Sequence, residues 1–436
     1  MKFTLSWLKD HLDTQATAAE IGDVLTNLGL ELEGLENKAE ELAPFRVAYV
    51  KEAAQHPNAD RLKVCTVDPG DGSEVQVICG APNAKTGMKG VFAPVGSYVP
   101  GIDTTLKAGK IRGVESNGML VSEREMGISD EHEGIIELDP DAPVGEGFAR
   151  VMGLDDPVFD IAITPNRADC LGVRGVARDL AAAGLGTLKD DPRLEAVAGS
   201  YDPPMQWRRD LPAGAEDACP YVGGRHFRNV QNGESPAWMQ QRLRAIGLRP
   251  ISALVDITNY VTFDLGRPLH VFDAAKVKGD LTMRLARDGE QLEALDEQTY
   301  TLDPETIVIA DEAGVQGIGG LMGGQDSGVT QDTTEVFLEV ALFDPIRIAT
   351  AGRRLGLLSD ARFRFERGLD PESADWGEAV ATRLIQEICG GEASHLTAAG
   401  EIPRDRQQID LKVKRVGELG GLEIGAKTCR RILDDL

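Results

Sequence analysis

A histidine and a glutamate stand out in this sequence because both lie among apolar residues. His270 belongs to a Pro-Leu-His-Val run, and Glu339 lies between Leu338 and Val340. A neutral imidazole can position an attacking water, since the ordinary pKa of histidine lies near neutrality. A buried carboxylate can select a hydroxyl group, because a hydrogen bond to a charged group is worth roughly 1.5–3 kcal/mol. The two residue types therefore offer a water-positioning base and a hydroxyl acceptor.

Each residue also has a purely structural interpretation. A histidine among apolar neighbours is more often a core residue hydrogen-bonded to backbone, because buried polar groups are paired. Glu335 and Glu339 share one face of a strand by the two-residue period, and that face could point to solvent while Val336 and its alternate neighbours point inward. The residues alone leave both interpretations open.

Glycines lie between these two residues without a phosphate or metal motif. Residues 317–324 are no phosphate loop, because no Gly-Lys-Ser/Thr follows them. The sequence has neither a His-Glu-x-x-His helix nor an EF-hand loop. The 6 cysteines form no Cys-x-x-Cys pair and have no histidine at zinc spacing, which favours scattered core thiols over zinc or disulfides. We predict no metal site and no cofactor within this chain.

Composition indicates several domains and no membrane segment. The 436 residues are 42% hydrophobic, enough for about three domains. The longest apolar stretches, such as residues 306–310, fall far short of the roughly 20 residues of a membrane span. Lys9 and Asp10 interrupt the apolar N-terminus, so no signal-peptide core forms. The net charge of −25 argues only weakly against nucleic acid, because local basic patches can still contact phosphates. We expect a cytoplasmic protein with neither membrane nor DNA as a partner.

The elements that must position these residues follow in blocks. Residues 1–38 predict two helices, the second capped by Thr17 with Glu20 completing a capping box. Short valine-rich strands and glycine turns then continue to about residue 150, which is typical of a small barrel. A strand, a helix over 172–183 and a linker rich in Asp, Pro and Gly lead to a larger α/β segment. From about Asp410 we expect a new strand–helix unit, in a chain that is truncated within a helix.

Residues 164–172 (Thr-Pro-Asn-Arg-Ala-Asp-Cys-Leu-Gly), followed by 175–180, resemble a signature of the β subunit of bacterial phenylalanine–tRNA synthetases. We expect Asn166, Arg167 and Asp169 to form a capped loop before a helix rather than a substrate site. The resemblance implies a multidomain α+β fold, with parts as follows: a discontinuous α/β first domain (1–38 with 152–195), an inserted OB-fold β-barrel that binds tRNA (39–150), a linker (196–217), a larger α/β editing domain of the B3/B4 type (218–398) and the incomplete start of a further α+β domain of the B5 type (403–436).

Three ordered motifs, at 56–62, 79–83 and 111–123, resemble the tRNA-binding barrels of synthetases and their accessory factors. An OB-type barrel offers a strand face and loops on which unpaired bases stack or hydrogen-bond. The candidate tRNA contacts are Asn83, Lys85, Lys89, Lys107, Lys110, Arg112, Ser116 and Asn117. In the alternative interpretation, His56-Pro57-Asn58 is a turn and residues 116–118 form a barrel hairpin.

The ordered strings within residues 249–369 resemble the editing domain of the same subunit. A pocket for phenylalanine must reject tyrosine, and an apolar pocket rejects an added hydroxyl by only about a hundredfold, so a second, hydrolytic site supplies the rest. The resemblance implies that Glu339 recognises the tyrosine hydroxyl and that His270 positions the water, assisted by the terminal hydroxyl of the tRNA. It implies a catalytic set of His270, Glu339, Thr258, Asn259 and Ser359, and a substrate-lining set of Gly320, Gly323 and Ala361.

Some of these residue types fit their implied roles directly. Glycines at 320 and 323 permit unusual backbone angles and close approach of a ligand, although a strand-to-strand turn explains them equally well. Ser359 stands where the family often has threonine, and both residues keep a hydroxyl. The small side chain of Ala361 would leave room for the substrate ring.

The resemblance also implies partners, namely tRNA(Phe) and a synthetase α subunit in an α2β2 ligase. Aminoacylation in that family uses ATP and Mg²⁺ at a site on the α subunit, so this chain would carry editing without charging. One alternative is a freestanding tRNA-binding accessory factor, which would lack the first module and the editing segment. Another is a lone trans-editing hydrolase, which would resemble residues 218–398 alone.

Overall fold

The chain has a mixed α+β structure, and a computed structural model describes residues 1–129, 131–404 and 408–436. Residue 130 of the expected barrel and residues 405–407 of the expected further domain lie outside the described residues. Contacts within the chain divide it into two compact units, which are Met1–Leu35 with Phe159–Leu436, and Glu36–Val158. We call them the split unit and the inserted unit.

Most strands are short. In chain order they are β1 (Lys2–Thr4), β2 (Leu12–Asp13), β3 (Leu32–Glu36), β4 (Arg46–Gln55), β5 (Lys63–Asp68), β6 (Val75–Cys79), β7 (Lys89–Pro94), β8 (Tyr98–Val99), β9 (Thr104–Thr105), β10 (Gly109–Ile111), β11 (Val114–Ser116), β12 (Gly118–Leu120), β13 (Glu137–Leu138), β14 (Val158–Ile161), β15 (Thr187–Leu188), β16 (Trp207–Asp210), β17 (Tyr221–Arg228), β18 (His270–Asp273), β19 (Leu281–Leu285), β20 (Gln291–Glu293), β21 (Thr299–Thr301), β22 (Ile307–Ala310), β23 (Val315–Ile318), β24 (Met322–Gly323), β25 (Glu335–Leu342), β26 (Glu392–Ala393) and β27 (Thr397–Gly400).

The longer helices belong to the split unit. In chain order the helices are α1 (Leu5–His11), α2 (Ala18–Asn27), α3 (Ala39–Leu42), α4 (Phe148–Val151), α5 (Val173–Ala182), α6 (Ala237–Ala245), α7 (Ala253–Leu265), α8 (Pro345–Leu355), α9 (Asp360–Phe365), α10 (Ser373–Ile388), α11 (Val413–Gly420) and α12 (Ala426–Asp435). Single 3₁₀ turns occur at Pro100–Ile102, Ala168–Cys170, Pro192–Leu194 and Glu216–Ala218. No helix in the described part of the chain is both long and apolar enough to cross a membrane.

The inserted unit is built on one antiparallel sheet with the strand order β12-β7-β4-β5-β6, and β13 also pairs with β7. Among the described residues this ladder does not close into a barrel. Two hydrogen bonds nevertheless join the segment before β12 to the far edge strand, since Asn117 N donates to Gln76 O at 2.9 Å and Ile78 N donates to Ser116 Oγ at 3.0 Å. The two edges are therefore linked by local bonds rather than by a continuous ladder.

The first 35 residues form the predicted pair of helices. The capping box is present as expected, since Glu20 N donates to Thr17 Oγ1 at 3.3 Å and Thr17 N donates to Glu20 Oε2 at 2.8 Å. Buried side chains of this segment share one core with α5, α7 and α10, and Trp7 Nε1 donates to Asp264 on α7 at 2.7 Å. This segment therefore packs directly on helices that come hundreds of residues later.

Two sheets form the centre of the split unit. One has the order β18-β25-β17-β26, with β27 also on β17, and the other has the order β16-β19-β22-β23-β24. Strand β25 is buried on both faces. Val336 and Leu338 enter the core shared with α7 and α10, while Phe337 and Ala341 enter the core shared with the other sheet. A side chain on either face of this strand is consequently kept from bulk water.

Three expectations need correction. The predicted linker contains β16, whose Trp207 is buried in the core and whose backbone pairs in parallel with β19. No strand begins near Asp410 in the described residues 408–412. Two exposed helices, α11 and α12, follow instead, and neither has a buried residue. The loop before α5 has no side-chain cap at Gly172. Arg167 instead forms ion pairs with Asp169 and Asp179.

Residues 164–172 dock onto the later part of the split unit. The backbone at Gly172 approaches that of Gly266 so closely that an added Cβ would meet Gly266 N and would lie 2.5 Å from Leu265 C. The buried Arg364 donates from Nε to Leu171 O at 3.1 Å. Residues 164–172 therefore pack backbone against backbone at Gly266. Glycine is required at position 172 because no side chain fits there, and not because of its backbone angles.

Replacing Gly172 by alanine tests this contact. Because backbone atoms cannot move aside easily, we expect Gly172→Ala to destabilise the split unit by about 2 kcal/mol. The 4 tryptophans all lie in the split unit, so urea unfolding followed by tryptophan fluorescence reports on that unit. The matched control is Gly233→Ala, whose added Cβ would have no atom within 4 Å. Equal stability of the two variants would show that the contact is not tight.

Candidate active site

A cavity of about 380 Å³ in the split unit brings the predicted editing residues together. Its walls come from α7, β18, the β23–β24 turn, β25 and the start of α9. Every residue of the two predicted sets lines it, namely Thr258, Asn259, His270, Gly320, Gly323, Glu339, Ser359 and Ala361. These residues span about a hundred positions of sequence, and only the fold places them around one space.

His270 and Glu339 lie directly opposite each other on neighbouring strands. They are register partners in the antiparallel pair β18–β25, where side chains of opposed residues have Cβ atoms about 4.5–5.5 Å apart. Both side chains face the cavity. A small molecule in the cavity can therefore contact the imidazole and the carboxylate at the same time.

Glu339 is a buried carboxylate without a hydrogen bond in the described chain. The residue is 7% exposed, so the interpretation that places it on a solvent face is wrong. Burial raises the pKa of Glu339 to about 7, and the nearby positive charge of Arg267 opposes the rise. The group is thus poised between its charged and neutral forms near neutral pH, with its acceptor oxygens unused.

His270 contributes a neutral ring with a free nitrogen. Its Nε2 atom is fully buried and has no partner among the described residues. Burial lowers the pKa of His270 to about 4, so the imidazole is uncharged at neutral pH. The ring packs edge-on against Phe272 at a centroid distance of 4.5 Å. The usual core histidine has a paired nitrogen, and His270 departs from that pattern at Nε2.

Glycine keeps the space beside His270 open. A Cβ at Gly323 would collide with His270 Cε1, and Gly320 has a φ of +68° in the turn between β23 and β24. Ser359 is occupied structurally, since its Oγ donates to Leu321 O at 2.8 Å and accepts from Arg362 N at 3.0 Å as the cap of α9. The Thr258 hydroxyl likewise donates to Val255 O at 2.8 Å. Both hydroxyls are therefore already hydrogen-bonded within the protein and stabilise the cavity wall.

Sequence reasoning missed several lining residues. Leu295, Val329, Met322 and Phe365 complete the apolar wall, and none stands in a pattern that marks it as part of a site. Arg267 lies behind the wall and belongs to the string Gly266-Arg267-Pro268 just before His270. Its full burial could not be read from that string, because a Gly-Arg-Pro sequence is equally compatible with a surface turn.

Some predicted tRNA contacts are engaged inside the inserted unit. Asn83 Nδ2 donates to Ile135 O at 2.8 Å, and Lys89 Nζ donates to Ala142 O at 2.6 Å. Ser116 is buried and accepts the hydrogen bond from Ile78 described above. These three side chains hold the sheet and its loops together.

The remaining candidates are exposed. Lys85 pairs with Glu137 at 2.6 Å, and Lys110 pairs with Glu115 at 3.5 Å. Lys107 and Arg112 have no ion pair in the part of the chain that the structure describes, and the neutral Asn117 is exposed. They are the predicted contacts most available to a polyanion.

The first and third motifs of the inserted unit meet through hydrogen bonds from the side chains of His56 and Asn58. Asn58 N donates to His56 Nδ1 at 3.0 Å, which confirms the predicted turn, and His56 Nε2 donates to Ile111 O at 3.2 Å. Asn58 Nδ2 donates to Arg112 O at 3.1 Å. Residues 116–118 do not form a hairpin, because β11 pairs with β10 whereas β12 pairs with β7.

One group in the described residues could offer three atoms to a metal ion, and it consists of Asp169, Cys170 and Asp179. Arg167 and Arg178 form ion pairs with both carboxylates. Two guanidinium groups already balance the two acids, so the donor set suits an ion-pair network better than a cation.

Two domain families match this chain. Residues 218–390 match the "B3/4 domain" family, and residues 45–147 match the family described as "Putative tRNA binding domain". The first range contains every residue of the cavity walls named above, and the second lies within the inserted unit. The chain is thus a protein that joins a tRNA-binding domain to a B3/4 domain.

Relatives cover the chain from end to end. The phenylalanine–tRNA ligase β subunit of Brucella abortus (strain 2308) is 56% identical over 436 residues, which are 100% of this chain and 54% of that one. The same subunit of Rhodospirillum rubrum is 57% identical over 425 residues, 97% of this chain and 53% of the relative. The chain belongs to the phenylalanine–tRNA ligase β-subunit family and spans about half the length of these relatives.

A solved structure shares the family name. An N-terminal fragment of the phenylalanyl-tRNA synthetase β subunit from Pyrococcus horikoshii is 14% identical, covers 64% of this chain and 77% of the fragment, and has a TM-score of 0.29.

Removing the ionisable group at position 339 should change how stability depends on pH. A carboxyl whose folded pKa is raised from 4.5 to about 7 favours the folded state below about pH 4.5 and loses that contribution as the pH rises through about 7. We therefore expect Glu339→Gln to gain roughly 3 kcal/mol relative to the parent protein between about pH 4 and pH 8. Urea unfolding across this range measures the difference. Glu335→Gln, at an exposed position of the same strand, is the control. A difference that stays constant with pH for Glu339→Gln would contradict the raised pKa.

Proposed function

We propose that this chain binds tRNA and hydrolyses Tyr-tRNA(Phe) as part of the β subunit of a phenylalanine–tRNA ligase. One observation carries the proposal. His270 and Glu339 lie side by side on neighbouring strands in the wall of a cavity that holds every editing residue implied by the family resemblance, and His270 Nε2 has no hydrogen-bond partner among the described residues. The match of residues 218–390 to the B3/4 domain family and the relatives' shared name support it.

Selection of tyrosine follows from the unpaired carboxylate. A tyrosyl side chain in the cavity places its hydroxyl where Glu339 can accept a hydrogen bond, which restores a partner that burial removed. A phenylalanyl ring leaves the buried carboxylate unpaired, and an unsatisfied buried charge costs more than the bond itself is worth. A site of this kind discriminates strongly against the analogue that lacks the hydroxyl. Hydrolysis of the correct product, Phe-tRNA(Phe), is thus disfavoured, because its side chain leaves the Glu339 carboxylate without a hydrogen-bond partner.

Hydrolysis requires a water held against the ester carbon. In the neutral imidazole one ring nitrogen accepts a hydrogen bond and the other donates one, so the ring of His270, which lines the cavity, can hold a water there. The water oxygen bonds to the carbonyl carbon, and the bond from that carbon to the terminal ribose oxygen breaks. Tyrosine and free tRNA leave, with the water's proton transferred to the ribose oxygen. Because the pKa of His270 is low, the ring serves in positioning rather than as a strong base.

The inserted unit is the proposed tRNA-binding module, and we propose that it is an OB-type barrel. Support comes from the family match over residues 45–147 and from the bonds that link β6 to the segment before β12. The exposed cations Lys107 and Arg112 would contact phosphates, while Asn117 would contact sugar or base. The large negative net charge confines such contacts to local patches.

The whole ligase adds partners beyond this chain. We propose that tRNA(Phe) and an α subunit complete an α2β2 assembly in the cytoplasm, and that the ATP- and Mg²⁺-dependent charging reaction takes place on the α subunit. A freestanding tRNA-binding accessory factor is disfavoured, because the family match at 218–390 and the relatives' coverage both extend far beyond the inserted unit.

Deacylation of mischarged tRNA tests the site. We expect the chain to hydrolyse Tyr-tRNA(Phe) and to leave Phe-tRNA(Phe) nearly intact. Glu339→Ala should lose at least about a hundredfold in selectivity for Tyr-tRNA(Phe) over Phe-tRNA(Phe), since no carboxylate then accepts a hydrogen bond from the tyrosyl hydroxyl. His270→Ala should slow hydrolysis by about ten- to a hundredfold. Release of radiolabelled tyrosine or phenylalanine from purified tRNA measures both rates.

Matched residues outside the cavity serve as controls for that assay. Glu335→Ala removes an exposed glutamate of the same strand, and His395→Ala removes an exposed histidine of the same unit. Both should keep the rates of the parent chain. Equal activity of the parent, Glu339→Ala and His270→Ala proteins would refute the assignment of the site.

Salt dependence of tRNA binding tests the inserted unit. We expect Lys107→Ala and Arg112→Ala each to weaken binding and to reduce the slope of log affinity against log salt, because each loses about one phosphate contact. Filter binding at several salt concentrations gives the slopes. Lys51→Ala removes a cation already paired with Asp68 and Glu74 and should leave the slope unchanged. Unchanged slopes for the first two variants would place the tRNA elsewhere.

A further inference from the structure

Arg267 is a buried cation that lacks a carboxylate partner. Its side chain is 0% exposed, and no ion pair joins it to an Asp or Glu in the described ranges. Nη2 donates to Ala341 O, Nη1 lies 3.5 Å from Ser373 Oγ, and Nε has no partner. The guanidinium also lies 5.7 Å from the centre of the Phe365 ring. Neutral groups thus satisfy part of its hydrogen-bonding capacity, but none balances its charge.

Geometry places this charge near the candidate site. Arg267 precedes His270 by three residues, and it binds the backbone of β25 at Ala341, two residues beyond Glu339. Two residues of a strand span about 7 Å. The carbonyl that Arg267 binds thus lies close to Glu339, and the charge of Arg267 lowers the pKa of that carboxyl because water and salt screen buried charges little. Glu339, equally buried, lacks an ion pair of its own in the described residues.

Arg267 is the cation whose charge acts on Glu339, whereas Arg209 and Arg225 act on the neighbouring Cys219 and Tyr221. His270 on β18 is neutral because burial lowers its pKa to about 4. Burial raises the pKa of the Cys219 thiol and raises that of Tyr221 to about 12, so both stay neutral. Asp360 at the cavity and Asp370 near Arg267 are acidic. Within this set Arg267 is the cation that can act on Glu339.

We propose that Arg267 is a positioning residue whose positive charge favours the ionised form of Glu339, so that the carboxylate can recognise the tyrosyl hydroxyl. This inference rests on the proposed editing function. Arg267 acts through Glu339 and does not touch the substrate, because it lies behind the cavity wall. Its charge makes an ionised carboxylate tolerable in an apolar core without forming a salt bridge. A direct salt bridge would occupy the oxygens that the substrate needs.

The pH profile of Tyr-tRNA(Phe) hydrolysis by the 436-residue chain tests the proposal. Removing the positive charge should raise the pKa of Glu339 further, so the midpoint at which hydrolysis appears should move up by about one pH unit in Arg267→Gln. At pH 7 the ionised fraction of Glu339 should fall from about one half to about one tenth, so the rate should fall by about fivefold, and at alkaline pH it should return to within about twofold of the parent rate. A merely structural defect would lower the rate equally at all pH values.

Ser373 allows the same test with Arg267 retained. Ser373→Asp places a carboxylate beside Nη1 and should neutralise the field at Glu339, which shifts the midpoint in the same direction as Arg267→Gln. Ser373→Asn, of equal size and uncharged, should keep the parent midpoint. Arg267→Lys keeps the charge and should also keep it.

Infrared titration of the Glu339 carboxyl provides a readout that does not depend on hydrolysis. In isotope-labelled protein, the carboxyl band should titrate at higher pH in Arg267→Gln and Ser373→Asp than in the parent. Parent-like titration in both variants would overturn the role of Arg267. A chain that fails to hydrolyse Tyr-tRNA(Phe), or a Glu339→Gln variant that hydrolyses it normally, would instead refute the editing function, whatever the infrared result.

Discussion

Strand β25 is covered on both faces, and a carboxylate placed on it has little access to bulk water. Phe337 and Ala341 fill the core against the second sheet, while Val336 and Leu338 fill the core against the helices. The buried Glu339 carboxyl can therefore be stabilised in three ways, which are protonation, an ion pair within the protein, or a hydrogen bond from a bound ligand. The structure leaves it unpaired beside a cavity. Selectivity and a cost in stability then have the same physical origin, the withdrawal of one carboxylate from water.

The cavity persists because the residues around it cannot fill it. Gly323 faces His270 where any side chain would collide with the ring, and Ser359 is held by the cap of α9 and by Leu321 O. Helix α7, which contributes Thr258 and Asn259, is anchored from its other end by Asp264, which accepts from Trp7 and from Arg193 at 3.0 Å. The walls are therefore held by contacts that lie outside the cavity, as a preorganised site requires.

Local signals in the sequence were sufficient for some of this structure. The Thr17–Glu20 capping box, the longer strands of the inserted unit (β4 to β7) and the limits of α5 depend on neighbouring residues, and each was predicted. Burial of Glu339 could not be predicted from alternation, because a two-residue period assigns one face to solvent and β25 has no such face. The strand within the expected linker was missed for a related reason, since β16 depends on β19, seventy residues later in the chain. The family resemblance named the cavity residues, but burial and pairing gave them a chemical meaning.

The inserted unit shows that a motif can specify shape without contacting a ligand. His56 and Asn58 use their side chains to bind the carbonyls of Ile111 and Arg112, so two separate motifs fix one another. Arg112 itself has a φ of +50°, a strained angle for a side-chain-bearing residue that such bonds can hold in place. The backbone of this loop is fixed, while the guanidinium stays exposed and unpaired among the described residues. Residues that stabilise the loop and residues free to bind phosphate thus lie within one short stretch of sequence. A resemblance between sequences cannot separate these two roles.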